Sequence, residues 1–483
     1  MKSSQKSLDA RPPGEPALSR SSPEAAEGRG LLRRLGLLDS SLLVVGAVLG
    51  SGIFMTTGLI AETLPSPGLI LLVWLTGALI TVCGALSFAE LGAMFPGSGG
   101  QYIYLREAYG PGLAFFFGWG FFWVIECGGV AALAVGFADY LEALLPGFAP
   151  GASILKFQAA GISYVLTAGQ LVGAAAIIAV SAVNFFGIRI GVFFQNIFAA
   201  SRTLALAGVA VLGLLIGRKA GIASSSDFFG GLSLFDFKAF GLAVLTVLWA
   251  YDGWYALNCT AEEVRNPRKN IPLGLILGTL IVAAVYLVLN VVYLAALPMG
   301  RIKGTLRIGE AAVGQMFGTG AARLFAGLIA LSIFGCLSAS IVYGPRVFYA
   351  MAKDGLFFKS LASIHPRFRV PGRALAAQAA WSCILCLSGT FKTLIEYDVF
   401  ALVLFFALTG LAVIVLRFRR PEAARPYRAW GYPVLPVVFI LANLAVFLNT
   451  LWMQPLQSLI GCLVLAAGIP AYFFWRNAQK HRS

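Results

Sequence analysis

The chain has few charged side chains. Asp, Glu, Lys and Arg make up only 12% of its 483 residues, against about 25% in soluble domains. Hydrophobic residues make up 59% of the chain and the mean hydropathy is +0.83. These proportions exclude an ordinary soluble enzyme. Since about 20 apolar residues are needed for each membrane crossing, the length predicts an all-α, polytopic membrane protein of twelve transmembrane helices, with no separate soluble domain.

Histidine is almost absent. The chain has only two, His365 and His481, and neither has a nucleophile or metal ligands around it in the sequence. An enzyme embedded in the membrane would need a cluster of His, Asp or Glu, and a channel would need a ring of polar residues along its pore. Neither pattern is found, so we predict that the protein is not an enzyme and needs no metal or cofactor.

The chain has only seven cysteines, and all of them lie in apolar segments. We expect them to pack as small hydrophobic side chains. Cys383 and Cys386 have the spacing of a metal or redox pair, but no second pair and no group of histidines accompanies them. Packing is therefore the favoured interpretation for these two residues as well.

The order of apolar and basic segments predicts the topology. Residues 1–39 are polar and lack the apolar core of a signal peptide, so we expect a disordered tail. With that tail inside the cell, the inside segments hold 25 Lys and Arg and the outside segments hold nine, which satisfies the positive-inside rule with both termini cytoplasmic. The net charge of +15 thus follows from topology and predicts a multi-pass protein of the plasma or inner membrane, not a nucleic-acid partner. The predicted spans lie at roughly 40–61, 69–94, 114–144, 162–184, 190–217, 239–260, 274–297, 320–351, 374–391, 396–416, 432–451 and 456–475.

Two spans contain a break near their middle. The first reads GAVLGSGIF over residues 46–54, and the sixth reads WAYDGW over residues 249–254, with Asp252 beside a glycine. Close helix packing is an alternative explanation for the glycines, but packing does not require a carboxylate. Breaks at matching positions in two blocks of five spans predict a secondary transporter with inverted repeats and a site at the middle of the membrane.

The chemistry of such breaks points to an α-amino acid. Free amides at the start of a half-helix bind a carboxylate, and free carbonyls nearby accept hydrogen bonds from an ammonium group. The predicted contacts are the amides of Ser51, Gly52 and Ile53 and the carbonyls of Val48, Trp249 and Ala250. Asp252 lies in the second break and is a further candidate for the substrate site.

Four motifs resemble a known family. Residues 50–54 read GSGIF, residues 249–254 continue to Leu-Asn, Glu-Glu, Asn-Pro and Pro-Leu by residue 273, residues 98–104 read SGGQYIY, and residues 195–198 read QNIF. Together they resemble the amino acid–polyamine–organocation superfamily and, within it, the L-type amino acid transporter family. The resemblance reaches from residue 40 to about residue 370.

The resemblance implies a LeuT-like fold. Residues 40–217 and 239–416 would form two inverted repeats of five spans in which spans 1 and 6 are discontinuous. Residues 432–475 would add two helices, followed by a cytoplasmic tail at 476–483. It also implies that Trp249 closes over the bound substrate from the outside. The alternative for Trp249 is a large side chain that fills the core of the helix bundle.

The sequence departs from the family pattern in two places. Light chains of heteromeric members carry a cysteine in the loop after the third span, and residues 146–158 contain none, so no disulfide-linked heavy subunit is expected. Arg202 stands where many members have a lysine, in the space that sodium occupies in sodium-coupled relatives. A permanent guanidinium there predicts sodium-independent exchange of L-amino acids. The alternative is a proton-coupled amino acid or polyamine symporter.

Glu126 in the third span is costly to bury, as Asp252 is. Each either pairs with an internal cation such as Arg202 or serves as a proton or substrate site, and the sequence leaves both interpretations open. We group Glu126, Arg202 and Trp249 as candidates for coupling and gating. A sensor that binds an amino acid without moving it would have the same site, so only a transport assay separates these two functions.

Overall fold

The computed structural model describes residues 31–64, 66–142, 144–145, 148–159, 162–217, 235–388 and 391–480. Residues 1–30 of the predicted tail lie outside this part of the chain. Most of the described residues are helical. The helices of the first half are α1 Leu37–Val48, α2 Gly52–Ile60, α3 Pro67–Met94, α4 Gln101–Tyr109, α5 Pro111–Gly120, α6 Glu126–Leu141, α7 Ala168–Phe185 and α8 Ile188–Gly217.

The second half of the chain is also helical. Its helices are α9 Phe237–Ala250, α10 Ala256–Cys259, α11 Pro267–Ala296, α12 Met299–Ile302, α13 Ile308–Phe317, α14 Thr319–Lys353, α15 Gly372–Ser388, α16 Phe391–Arg419, α17 Val434–Met453 and α18 Pro455–Lys480. A π-helical turn, Phe121–Ile125, joins α5 to α6, and 3-10 turns occur at Ala261–Glu263 and Lys359–Ala362.

Ten helical segments in the described residues are long and apolar enough to cross a membrane. They are α1 with α2, α3, α5 with α6, α7, α8, α11, α14, α16, α17 and α18. The protein is therefore a helical, multi-pass membrane protein. Two more of the predicted spans correspond to helices that are shorter than a full crossing: α9 has 14 residues and α15 has 17.

The fourth span begins later than the sequence predicted. Strands β1 Ser153–Ala159 and β2 Ile162–Thr167 pair in antiparallel orientation, and α7 starts only at Ala168. The prediction that this span begins at 162 is therefore wrong. β-branched and aromatic residues favour a strand here, and Thr167 forms a capping box with Gln170 that begins the helix. An apolar run alone does not distinguish a strand from the start of a buried helix.

The first span lies at the centre of the bundle. The segment from α1 to α2 is almost wholly buried, whereas α18 presents most of its surface outward. Helices α8, α11 and α14 pack around α1. Helix α14 also packs on α6, and α3 packs against α11. Because neighbouring helices shield the backbone at the break in this span, its polar groups must find partners in protein side chains.

The two cysteines of the CxxC sequence bind carbonyls of a neighbouring helix. Cys383 Sγ lies 3.7 Å from the Ala174 carbonyl oxygen and Cys386 Sγ lies 3.6 Å from that of Gln170. Both thiols are free. They hold α15 against α7.

Candidate functional site

A cavity of about 40 Å³ lies between the two helix breaks. Its wall brings together seven of the nine residues that the sequence singled out: Val48, Ser51, Gly52, Glu126, Trp249, Ala250 and Asp252. Ile53 and Arg202 are buried but do not line the cavity. Since a water molecule needs roughly 10–15 Å³ of such space, the cavity has room for about three waters.

Helix α14 contributes a polar face that the sequence analysis missed. Cys336, Ser340 and Tyr343 all line the cavity. They are spaced i, i+4 and i+7, which places them on one face of the helix. A polar stripe with this spacing in an otherwise apolar span was the available signal.

Side chains from other helices satisfy the carbonyls that the first break exposes. Helix α1 ends at Val48, and the last carbonyls of a helix have no partner within it. Arg202 of α8, Cys336 and Ser332 of α14 and Tyr286 of α11 supply the donors. The pairs are Arg202 Nη2 with the carbonyls of Val45 and Gly46, Cys336 Sγ with Ala47 at 2.8 Å, Tyr286 Oη with Val48 at 2.8 Å, and Ser332 Oγ with Leu49 at 2.9 Å.

Glycines bring the two breaks into contact. Gly253 has φ +93°, and a Cβ on it would lie 2.8 Å from the Ala47 carbonyl oxygen. A Cβ on Gly52 would lie 2.6 Å from the Cα of Ala250. The Tyr286 hydroxyl also connects the breaks, since it donates a hydrogen bond shared by the carbonyls of Val48 (2.8 Å) and Ala250 (3.1 Å).

The beginning of α2 presents unused hydrogen-bond donors. The amides of Ser51, Gly52 and Ile53 belong to the first turn, which has no acceptors within the helix, and no described residue outside it accepts from them. The Ser51 hydroxyl is fully buried and has no partner among the described residues. These donors, together with the positive end of the helix dipole, suit an anionic group such as a carboxylate.

Two carboxylates face the same cavity. Glu126 follows directly after the π-helical turn at Phe121–Ile125, a feature that occurs frequently at functional sites. Its Oε1 accepts a hydrogen bond from Gln378 Nε2 at 3.4 Å. Asp252 Oδ1 has no partner among the described residues. No ion pair joins Arg202 to either carboxylate in the part of the chain that the structure describes.

Within the described part of the chain, Arg202 donates hydrogen bonds to backbone oxygens only. Its Nη1 donates to the Ser332 carbonyl at 2.6 Å, and its Nη2 donates to the carbonyls of Val45 and Gly46. The guanidinium is buried, with 3% of the residue exposed. It therefore links α8 to the end of α1 and to α14, and its positive charge lies at the negative end of the α1 dipole.

The sequence profile described as amino acid permease matches residues 35–468. This chain belongs to the amino acid permease family. The permease is similar to three well-described transporters along nearly its whole length. It is 32% identical to b(0,+)-type amino acid transporter 1 of Homo sapiens, covering 92% of this chain and 88% of the relative. It is 31% identical to the serine/threonine exchanger SteT of Bacillus subtilis, covering 92% and 98%.

The third relative is large neutral amino acids transporter small subunit 2 of Homo sapiens, 31% identical over 96% of the permease and 85% of the relative. These similarities confirm the family that the four motifs predicted, the L-type amino acid transporters of the amino acid–polyamine–organocation superfamily. The permease is an amino acid transporter, and its family consists of transporters rather than enzymes.

Two contacts of the permease join helices at the face of the bundle where α1 begins. Arg346 of α14 forms a buried ion pair with Glu263 (Nε to Oε2, 3.0 Å). Burial raises the pKa of the Glu263 carboxyl, and the charge of Arg346 opposes that shift. Leu35, just before α1, forms a β-bridge with Val264. The ion pair and the bridge together tie the start of α1 and α14 to the segment that follows α10.

A second set of contacts surrounds α2. The Gly304 amide donates to the Gly58 carbonyl at 3.0 Å, and the rings of Phe54 and Phe325 meet edge to face with centroids 5.9 Å apart. Trp249, near the end of α9, is 8% exposed and lines the cavity.

Proposed function

We propose that the permease moves L-amino acids across the membrane by alternating access, as a sodium-independent exchanger. The observation that carries this proposal is the cavity between the two breaks. The unused donors at the start of α2 and the backbone of both breaks line it together, and amide donors beside carbonyl acceptors complement a carboxylate and an ammonium on one small molecule. The names of the relatives, which include an exchanger, agree with this proposal.

The surroundings of Arg202 support sodium independence. Carbonyl oxygens of Val45, Gly46 and Ser332 converge on its guanidinium, and carbonyl oxygens are the ligands that hard cations prefer. Arginine stays protonated in proteins. Its charge therefore occupies a place where a metal cation would otherwise find oxygen ligands, and it would repel that cation.

We further propose that the chain has twelve spans in a LeuT-like arrangement, with both termini cytoplasmic in a plasma or inner membrane. Helices α1 and α2 would form the discontinuous first span and α9 and α10 the discontinuous sixth, while α15 would form the ninth. Substrate exchange would need the Arg346–Glu263 ion pair to separate on one face and the contacts at the end of α2 to separate on the other.

We also propose that no heavy subunit is linked to the chain through a disulfide. The light-chain cysteine is missing from residues 146–158. On the described part of this connection, the hairpin β1–β2 packs against α15 through the Tyr164 hydroxyl, which donates to the Leu387 carbonyl at 2.7 Å. Non-reducing electrophoresis of the protein from its native membrane tests this proposal, since a higher-mass species that disappears on reduction would contradict it.

A proton-coupled symporter is the second candidate, because Glu126 and Asp252 share one cavity with no basic side chain in its wall. Purified protein in liposomes separates the two functions. An exchanger takes up labelled amino acid much faster into vesicles loaded with amino acid than into empty ones, and replacing sodium with choline changes nothing. Accumulation in empty vesicles driven by an inward pH gradient would instead support the symporter.

The predicted carboxylate contact has a test of its own. If the amides of Ser51, Gly52 and Ile53 bind the substrate carboxylate, decarboxylated analogues should compete poorly with the parent amino acid for uptake. Competition of equal strength would contradict this contact and favour a polyamine carrier.

A further inference from the structure

The charge in the cavity wall is unbalanced. Glu126 from α6 and Asp252 from the turn after α9 both line the cavity, and no Lys, Arg or His among the described residues does. The nearest buried cations on neighbouring helices have other partners: Arg202 binds three carbonyls, and Arg346 binds Glu263. Two carboxylates in one buried cavity repel each other, and a proton or a cation held between them removes the repulsion.

The polar atoms around this pair are incompletely bonded. Gln378 donates one long hydrogen bond of 3.4 Å to Glu126, which also interacts with the Tyr343 hydroxyl. Asp252 interacts with Tyr255, but its Oδ1 atom has no partner among the described residues. The Ser51 hydroxyl in the same wall is fully buried and also has no partner there. Unpartnered polar atoms that face one cavity indicate groups that bind a ligand.

We propose that Glu126 and Asp252 form an acidic pair that holds one proton while a neutral amino acid is bound and releases it when the substrate brings a second cationic group. In this step the O–H bond of one carboxyl breaks and its electron pair stays on the carboxylate oxygen. The proton passes to water on the side to which the cavity is open. The side-chain ammonium of the substrate takes the proton's place, so the total charge of the occupied site is the same for both substrate classes.

This inference rests on the proposed function in one respect, namely that the ligand is an α-amino acid. Its carboxylate would bind the start of α2 and its α-ammonium would lie beside the carbonyls of the breaks. The acidic pair is then left for the side chain. Because the cavity has room for about three waters, its walls must move apart to admit a side chain of this length, as alternating access requires.

Other titratable groups near the pair stay neutral in the pH range used to test the proposal. Tyr343 and Cys336 of α14 line the cavity, and Cys259 of α10 and Cys127 of α6 lie within electrostatic range of Glu126. Unperturbed phenols and thiols titrate near 10 and 8.5. These groups therefore stay neutral between pH 5 and about pH 7.5, where the experiment is done.

Proton release has a quantitative consequence. If one proton leaves for each dibasic substrate bound, the affinity for that substrate rises about tenfold for each unit of pH over the range in which the pair holds its proton. A neutral substrate of the same shape shows no such slope. Ornithine and norleucine are a matched pair, since the terminal ammonium of one replaces the terminal methyl of the other.

Titration calorimetry on the purified full chain tests the proposal, with ornithine and norleucine in buffers of different ionisation enthalpy between pH 5 and about 7.5. We expect about one proton released per ornithine and none per norleucine. Glu126→Gln and Asp252→Asn should each abolish the release, while an unfolding temperature in detergent close to that of the wild type shows that the variant is folded. Glu422→Gln, which removes an exposed loop carboxylate, is the control and should release as much as the wild type.

Ornithine binding without proton release across this range would overturn the proposal. Full release by both cavity variants would also overturn it, because the proton would then come from another group. Norleucine binding with no ornithine binding would do the same, because the pair would then hold no second cationic group. Vesicle exchange of norleucine, measured on the same preparation, tests the proposed function separately. Exchange without proton release refutes only the acidic pair, and proton release without exchange refutes only the exchanger.

Discussion

Replacing Gly253 with alanine should damage the junction between the two breaks. Gly253 has φ +93°, a conformation that residues with a Cβ rarely adopt, and its Cβ would lie 2.8 Å from the Ala47 carbonyl oxygen. That oxygen already accepts a hydrogen bond from Cys336 at 2.8 Å. The substitution therefore acts on the backbone at Gly253, on the end of α1 and on the contact between α1 and α14.

The size of the effect follows from these contacts. A left-handed conformation costs a residue with a Cβ roughly 1–2 kcal/mol. Displacing the Ala47 carbonyl from its partner adds about 1 kcal/mol. We expect Gly253→Ala to destabilise the described conformation by about 2–3 kcal/mol, which is roughly a 30- to 150-fold change in the equilibrium constant.

Thermal unfolding of the purified protein in detergent measures this loss, and exchange in liposomes measures its effect on transport. Gly208→Ala is the matched control, because Gly208 lies inside α8 and a Cβ there would meet nothing within 4 Å. It should be neutral or stabilise by up to about 1 kcal/mol. If Gly253→Ala unfolds at the wild-type temperature and exchanges at the wild-type rate, the contact between the breaks does not constrain the backbone as we argue.

Three further variants test the cavity wall and the buried contacts around it. Trp249→Ala should weaken substrate binding by about 1–3 kcal/mol through lost aromatic contact, and an unchanged apparent affinity would indicate that the ring only fills the core. Arg346→Gln should destabilise the protein by about 3–5 kcal/mol, since it leaves Glu263 buried and unpaired. The double variant with Glu263→Gln should recover most of this stability. No recovery would show that loss of the ion pair is not the cause. Arg202→Lys offers one nitrogen to three carbonyls, so it should lower the unfolding temperature. Uptake should stay independent of sodium. Stimulation of uptake by sodium would contradict the role given to the fixed charge.

The sequence predicts the spans well because each depends on a local property. An apolar run of about 20 residues is visible without tertiary information, and the span predicted at 69–94 is found at Pro67–Met94. The breaks are also local, since they need glycines and a carboxylate within a few residues. Residues 239–260, predicted as the sixth span, contain most of α9 and all of α10 with a turn between them, although α9 alone is shorter than a full crossing.

Other features depend on residues far apart in the chain. Sequence gives no indication that Cys336 and Tyr286 bind carbonyls of the first span, because more than 200 residues separate each donor from its acceptor. The hairpin before α7 was missed for a different reason. The residues of β2 are apolar enough to resemble the start of a span, and the cap at Thr167 is the local feature that distinguishes them.

The first break is asymmetric, and this asymmetry bears on which part of the substrate matters most. On the α1 side, the carbonyls from Val45 to Leu49 already have side-chain donors from three other helices. On the α2 side, the amides and the Ser51 hydroxyl have no described partner. A bound carboxylate therefore satisfies donors that otherwise depend on water. A bound ammonium instead competes with Tyr286 for the carbonyl oxygens, or uses the second lone pairs of those oxygens. For this reason we expect loss of the substrate carboxylate to weaken binding more than methylation of its amino group, and inhibition constants for the two analogue series would compare these effects directly.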